Sequence, residues 1–222
     1  MLPGRQRISS RARENPGRIR DVFLALLGIL IFAAFIHSPF PLMLLAVGGL
    51  AGTAAVIGFS TRNMGLMEAF GIRPLNRRVL IYIPVAAALG VLMAVLTRNR
   101  FELTLIPAGL TGIALIAPLV GTTEELIFRG YIQGRLHPTG KLCSIVCATT
   151  AHTCYKLLVI LSLGSPLQFD FFFLIFWTFT GGLLFGTLRE LSGNIIPPVI
   201  AHAVFDIVLY GTLATAPVWV WS

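Results

Sequence analysis

Seven ionisable side chains lie inside stretches of this sequence that are otherwise apolar. Glu124, Glu125 and Arg129 share the run Thr123-Glu124-Glu125-Leu126-Ile127-Phe128-Arg129, His152 and Lys156 fall in the next apolar stretch, and His202 and Asp206 in the last. The chain has only nine acidic residues, so two adjacent ones in an apolar run call for a reason. Each charged side chain at a bilayer centre costs about 2.5–3.5 kcal/mol on insertion scales, and such residues usually face a bundle interior or a water-filled cavity and carry function. Two imidazoles and a carboxylate make an ordinary catalytic zinc set with one position open for water. The same groups can also relay protons or ions across a membrane. A lone intramembrane histidine is as often interhelical glue. Two glutamates, two histidines and an aspartate together are more than glue requires.

Helical geometry groups them further. Residues four apart share a helix face, so Glu125 and Arg129 are expected to stack as an ion pair in the favourable order, glutamate first. Glu124 points about 100° away, beyond easy reach of the same arginine. One glutamate is therefore expected to be structural and the other available for work. His202 and Asp206 are also four apart and project to one side. Pro197 and Pro198 open their helix, where a missing N–H is tolerated, and Asn194 is the expected cap. At ~1.5 Å per residue, His202 lies roughly 10 Å and His152 about 15 Å from the starts of their helices. Both depths match that of Glu124, a turn or more inside Arg129 and Arg135, which predicts one shared, water-accessible cavity. Lys156 reads as a snorkelling residue or as the neutraliser of a neighbour.

The elements that must hold these groups are membrane helices. The chain is 56% hydrophobic and 12% charged, against about 25% charged for a soluble domain. Its apolar runs are Val22–Ile36, Leu42–Phe59, Val79–Thr97, Leu103 to about Leu136, Leu142–Leu163, Phe169–Leu188 and Ile195–Leu213. Each spans or nearly spans the ~20 residues of a transmembrane helix. The fold class is therefore all-α, a polytopic bundle of seven to eight membrane helices with a polar cavity in the cytoplasmic half. Residues 1–21 form a basic cytoplasmic segment and 22–222 one membrane domain, with generic helices over 22–102 and the functional core over 103–213. Met64–Phe70 reads as a short amphipathic helix on the membrane surface.

The formal net charge of +8 reflects topology rather than a nucleic-acid partner. Arg5, Arg7, Arg11, Arg13, Arg18 and Arg20 precede the first run; Arg62, Arg73, Arg77 and Arg78 follow the second; Arg129, Arg135 and Lys141 follow the fourth, and Arg189 the sixth. Alternate loops are loaded and only Arg98 and Arg100 fall in a loop opposite, which places the amino terminus in the cytoplasm by the positive-inside rule. The expected location is a bacterial inner (plasma) membrane. Cys143, Cys147 and Cys154 share the fifth run and read as buried packing thiols rather than a disulfide framework. Gly48/Gly52, Gly130/Gly134 and Gly182/Gly186 have the spacing of close helix packing.

Glu124-Glu125-x-x-x-Arg129, then His152 one helix later, then Gly193-Asn194-Ile195-Ile196-Pro197-Pro198-Val199-Ile200-Ala201-His202-Ala203-Val204-Phe205-Asp206, resemble the CAAX prenyl protease and bacteriocin-processing family of intramembrane proteases. The resemblance covers roughly Leu103 to Leu213. It departs at Ala148, where the family usually has an aromatic four residues before the histidine, and this implies altered packing around His152. The resemblance implies an intramembrane endopeptidase acting near the cytoplasmic face on membrane-associated peptides or proteins. Glu124 would be the general base on water, with His152 orienting that water or sharing its proton. His202 would donate to the oxyanion, where one donor is worth ~3–4 kcal/mol. Asp206 would donate if neutral and orient His202 if ionised. Glu125 and Arg129 would support Glu124 from behind.

A zinc enzyme would use Glu124, His152 and His202 as ligands. No His-Glu-x-x-His helix exists, and the expected mechanism requires no cofactor. Two other classes compete with a protease: an ion- or proton-coupled transporter, for which no internal repeat is visible, and a non-catalytic immunity or scaffold protein of the same fold. Expected partners are the lipid bilayer and a membrane-associated peptide or protein substrate, without nucleic acid.

Overall fold

Every long apolar run contains a helix. A computed structural model describes residues 16–164 and 170–213, and among them all regular structure is helical. The order is α1 Pro16–Phe35, α2 Met43–Thr61, α3 Leu66–Ala69, α4 Arg77–Arg100, α5 Gly112–Glu125, a π-helical turn Leu126–Ile132, α6 Gln133–Leu136, α7 Lys141–Leu161, α8 Phe171–Ser192 and α9 Ile196–Tyr210. Four of these, α2, α4, α7 and α8, are long and apolar enough to cross a membrane. Arg5, Arg7, Arg11 and Arg13 lie outside the described residues, whereas Arg18 and Arg20 are exposed at the start of α1.

Polar residues at the ends define the helices. Asn76 accepts from Val79 N at 3.0 Å and starts α4. Asp170 accepts from Phe173 N at 2.9 Å and pairs with Arg100 at 3.1 Å. The Phe173 backbone N–H, more than Arg100, holds the Asp170 carboxyl below its ordinary range, so this cap is lost only as pH falls through that lowered value. Gly193, at φ 70°, ends α8. Asn194 then accepts from Ile196 N at 3.0 Å and donates to Arg73 O at 2.8 Å, so the expected cap also ties α9 to the chain before α4.

The expected membrane helix from Leu103 starts only at Gly112. At the end of α4, Glu102 adopts φ 55°, Glu102 N donates to Asn99 O and Leu103 N to Arg98 O. This is the Schellman ending of a helix. Pro107, which disfavours helix at the residue before it, prevents an immediate restart. Arg98, assigned above to a loop, is instead fully buried in the last turn of α4. Its guanidinium donates to Leu209 O at 2.6 Å, Val208 O at 3.1 Å and Thr104 Oγ1 at 3.0 Å, and also to Thr104 O. The last carbonyls of a helix have no partner within it, and Arg98 satisfies two of those on α9. Hydrogen bonds from a charged donor contribute about 1.5–3 kcal/mol each. Arg98→Ala should therefore lower the thermal midpoint of the detergent-solubilised protein strongly, and Arg98→Leu equally, because bulk alone does not replace the donors.

α1 packs on α2, α4 and α5 on α9, and α7 on α8 and α1. Small residues permit the closest crossings: a Cβ on Gly28 would stand 2.7 Å from Gly49 O, and one on Gly182 2.6 Å from Thr149 Cγ2. Gly130 and Gly186 are similarly close-packed, whereas Gly48 and Gly52 face open space. In that pair the spacing occurs without the contact. Large apolar side chains, among them Leu44, Val47, Leu92, Leu115, Leu119 and Phe176, stay exposed on the outer faces of α2, α4, α5 and α8. Such a continuous apolar exterior fits lipid rather than water. The three cysteines are on this exterior, free and exposed, not buried as the hydropathy suggested. α7 turns them outward because Ala148, Thr149, His152 and Lys156 occupy its inner face.

Candidate active site

α5, α7 and α9 converge so that Glu124, Glu125, Arg129, His152, Lys156, His202 and Asp206 form one buried cluster. Exposure runs from 0% at Glu125 and Arg129 to 8% at His202. Arg129 NH1 lies 3.3 Å from Glu125 Oε1, the expected ion pair, and 2.9 Å from His152 Nδ1. Across the cluster His202 Nδ1 is 2.9 Å from Glu125 Oε1. Glu124 is turned away from the arginine. Its Oε1 is 2.7 Å from Lys156 Nζ, and its Oε2 is 3.3 Å from His152 Nε2 and 4.0 Å from His202 Nε2. Asp206 Oδ1 is 3.9 Å from His202 Nε2.

These contacts determine the proton positions. An arginine guanidinium only donates, so His152 Nδ1 accepts from it and the ring proton sits on Nε2. His152 therefore donates to Glu124 Oε2. The Glu125 carboxylate, paired with Arg129, accepts from His202 Nδ1–H, which leaves His202 Nε2 facing Glu124 and Asp206. Sequence spacing grouped the acids and histidines, but not this directionality.

The backbone changes character where the polar groups begin. The π-helical turn starts directly after Glu125, and such turns often mark functional sites. It carries Phe128, whose ring centroid is 4.7 Å from that of His152, while the Tyr155 ring, 5.5 Å from that of Phe128, stacks on the histidine at 6.2 Å. Ala148 is buried in the same apolar cluster as Phe128 and Tyr155. The aromatic wall of His152 thus comes from these two residues, neither of which the sequence singled out.

Gly121, a turn before Glu125, was also missed. A Cβ there would stand 2.6 Å from Asp206 Oδ2 and 2.9 Å from His202 Cδ2. Gly121→Ala should displace the polar face of α9, and a 1 Å misplacement can cost about 10²-fold in rate. The variant should accumulate in membranes while its turnover falls by that order; Gly58→Ala, at a site with open space, should change neither.

Residues 106–208 match the family model described as type II CAAX prenyl endopeptidase Rce1-like. This segment is similar to the Rce1-like family. The Rce1-like segment begins just before α5 and ends within the last turn of α9, so it contains all seven clustered residues. That family is one of peptidases, and the four long apolar helices fit an integral membrane protein. No curated protein and no solved structure matches the chain.

Proposed function

We propose that this chain is an intramembrane endopeptidase that hydrolyses membrane-associated peptides or proteins near the cytoplasmic face. One observation carries the reading: Glu124 Oε2 sits between the ring nitrogens of His152 and His202, on three different helices. Water placed beside that oxygen loses a proton to Glu124 as its oxygen attacks the substrate carbonyl. His152, already oriented by Arg129, donates through Nε2 and aligns the carboxylate. His202, held at Nδ1 by Glu125 and flanked by Asp206, donates as an imidazolium to the oxyanion. The proton on Glu124 then passes to the leaving amine. A general base typically contributes 10²–10⁴-fold.

Zinc fits these residues poorly. A ligating imidazole offers a lone pair and donates from its other nitrogen to a carboxylate or carbonyl. His152 does the reverse, because its second nitrogen faces a guanidinium. Glu124 Oε1 is also engaged by an ammonium. The proposed hydrolysis therefore uses no metal.

The cytoplasmic amino terminus, an inner (plasma) membrane of bacterial type and a lipid-anchored or membrane-embedded substrate remain part of this proposal, supported by the arginine distribution and the shared depth of the polar groups. Nothing in the site requires a prenyl group. The test compares the protein termini, by mass spectrometry, of cells carrying the wild type or Glu124→Gln at equal abundance. New termini on membrane-associated proteins that vanish in the variant support the reading. Identical termini with proton flux in reconstituted vesicles would replace it with transport.

A further inference from the structure

Lys156 has no place in the scheme above, yet its ammonium makes the shortest polar contact within the cluster, 2.7 Å to Glu124 Oε1. It lies one turn after His152 on the inner face of α7 and is 7% exposed. A lysine that only needed solvation would snorkel towards the membrane surface. This one points inward, with its nitrogen 5.8 Å from the centre of the Tyr155 ring. Arg129 does not do the same work, since its NH1 is directed at Glu125 and His152. A buried, unpaired carboxylate takes up a proton rather than remain charged, and a protonated Glu124 is no base.

We infer that Lys156 is a positioning residue for peptide hydrolysis, anchoring one oxygen of Glu124 so that the other, Oε2, is presented to water between His152 and His202. This rests on the reading of Glu124 as the water-activating base. The ammonium supplies the fixed positive charge beside the carboxylate, and the ion pair removes the rotation that would exchange its two oxygens. Lys156 keeps its three protons throughout. The proton leaving water goes to Oε2, the water oxygen bonds to the carbonyl carbon, and the same proton reaches the amide nitrogen as the C–N bond breaks.

The experiment uses the full chain in liposomes and a fluorogenic peptide built on a cleavage site found by the terminus comparison. Lys156→Ala should lower kcat by about 10²-fold, the usual scale for a misplaced reacting group, with KM little changed. Ethylammonium should restore kcat saturably in this variant and leave the wild type unaffected, while ethanol restores nothing. A purely structural lysine would not respond to a soluble amine. Lys156→Arg should retain most of the activity, and if Lys156→Ala does not accumulate, Lys156→Gln should show the same kcat loss. Full kcat in Lys156→Ala, a gain in rate, or a loss that ethylammonium leaves untouched would overturn the inference while the peptidase reading stands. Wild-type cleavage that persists in Glu124→Gln would overturn both.

Discussion

Glu124→Gln should abolish peptide hydrolysis while lowering accumulation less than truncation to alanine does. The amide keeps the volume of the carboxylate and a hydrogen-bonding oxygen for His152, but cannot take a proton from water. The loss expected for a missing general base is 10²–10⁴-fold, read as kcat in reconstituted vesicles. The choice of substitution matters. From the sequence, Glu124→Ala is the natural test, and Glu124 then looks free of structural duties. The structure shows Lys156 paired to it at 2.7 Å. Truncation to alanine would leave a buried ammonium without its partner, and breaking a buried pair in this way costs about 3–5 kcal/mol. Glu124→Ala is therefore expected to reduce accumulation as well as activity, and Glu124→Ala/Lys156→Met to recover accumulation alone. Normal hydrolysis by Glu124→Gln would remove Glu124 from the mechanism.

Arg129→Ala should lose stability and activity together. Arg129 and Glu125 are both fully buried, and the guanidinium serves Glu125, at 3.3 Å, and His152, at 2.9 Å. Its removal strands the Glu125 charge, at about 3–5 kcal/mol for a broken buried pair, and frees His152 to place its proton on either nitrogen. The variant should accumulate poorly and be inactive. Arg129→Met combined with Glu125→Gln removes both charges, so accumulation should return towards wild type while hydrolysis does not, because His152 still lacks its donor. Membrane abundance and kcat measured on the same preparations separate the two effects. Recovery of both in the double variant would show that Arg129 serves stability alone.

Much of this molecule was legible in its residue order. Hydropathy located the helices because a bilayer leaves the backbone no partners except its own, and each long apolar run contains a helix. The spacing of Glu125 with Arg129, and the turn between Glu124 and that arginine, followed from 3.6 residues per turn. These readings needed only local geometry. The run from Leu103 failed because hydropathy ignores backbone signals, and Pro107 and the left-handed Glu102 break a stretch that remains apolar. Arg98 reads as a loop charge for a similar reason: its partners are the carbonyls of Val208 and Leu209, more than a hundred positions away.

Within the site, the sequence by itself determined which residue types share a depth and which belong to which helix. Only the tertiary structure decided who pairs with whom. Lys156 reaches Glu124, Arg129 reaches His152, and Glu125 reaches His202 because α5, α7 and α9 meet at fixed rotations. Those rotations are set by close contacts such as Gly121 against Asp206, which no one-dimensional spacing encodes. Hydrogen-bond direction, and with it the donor role of His152, follows from the partner rather than from the residue. Chemistry was therefore readable as a set of candidates, and roles only after packing had chosen the neighbours.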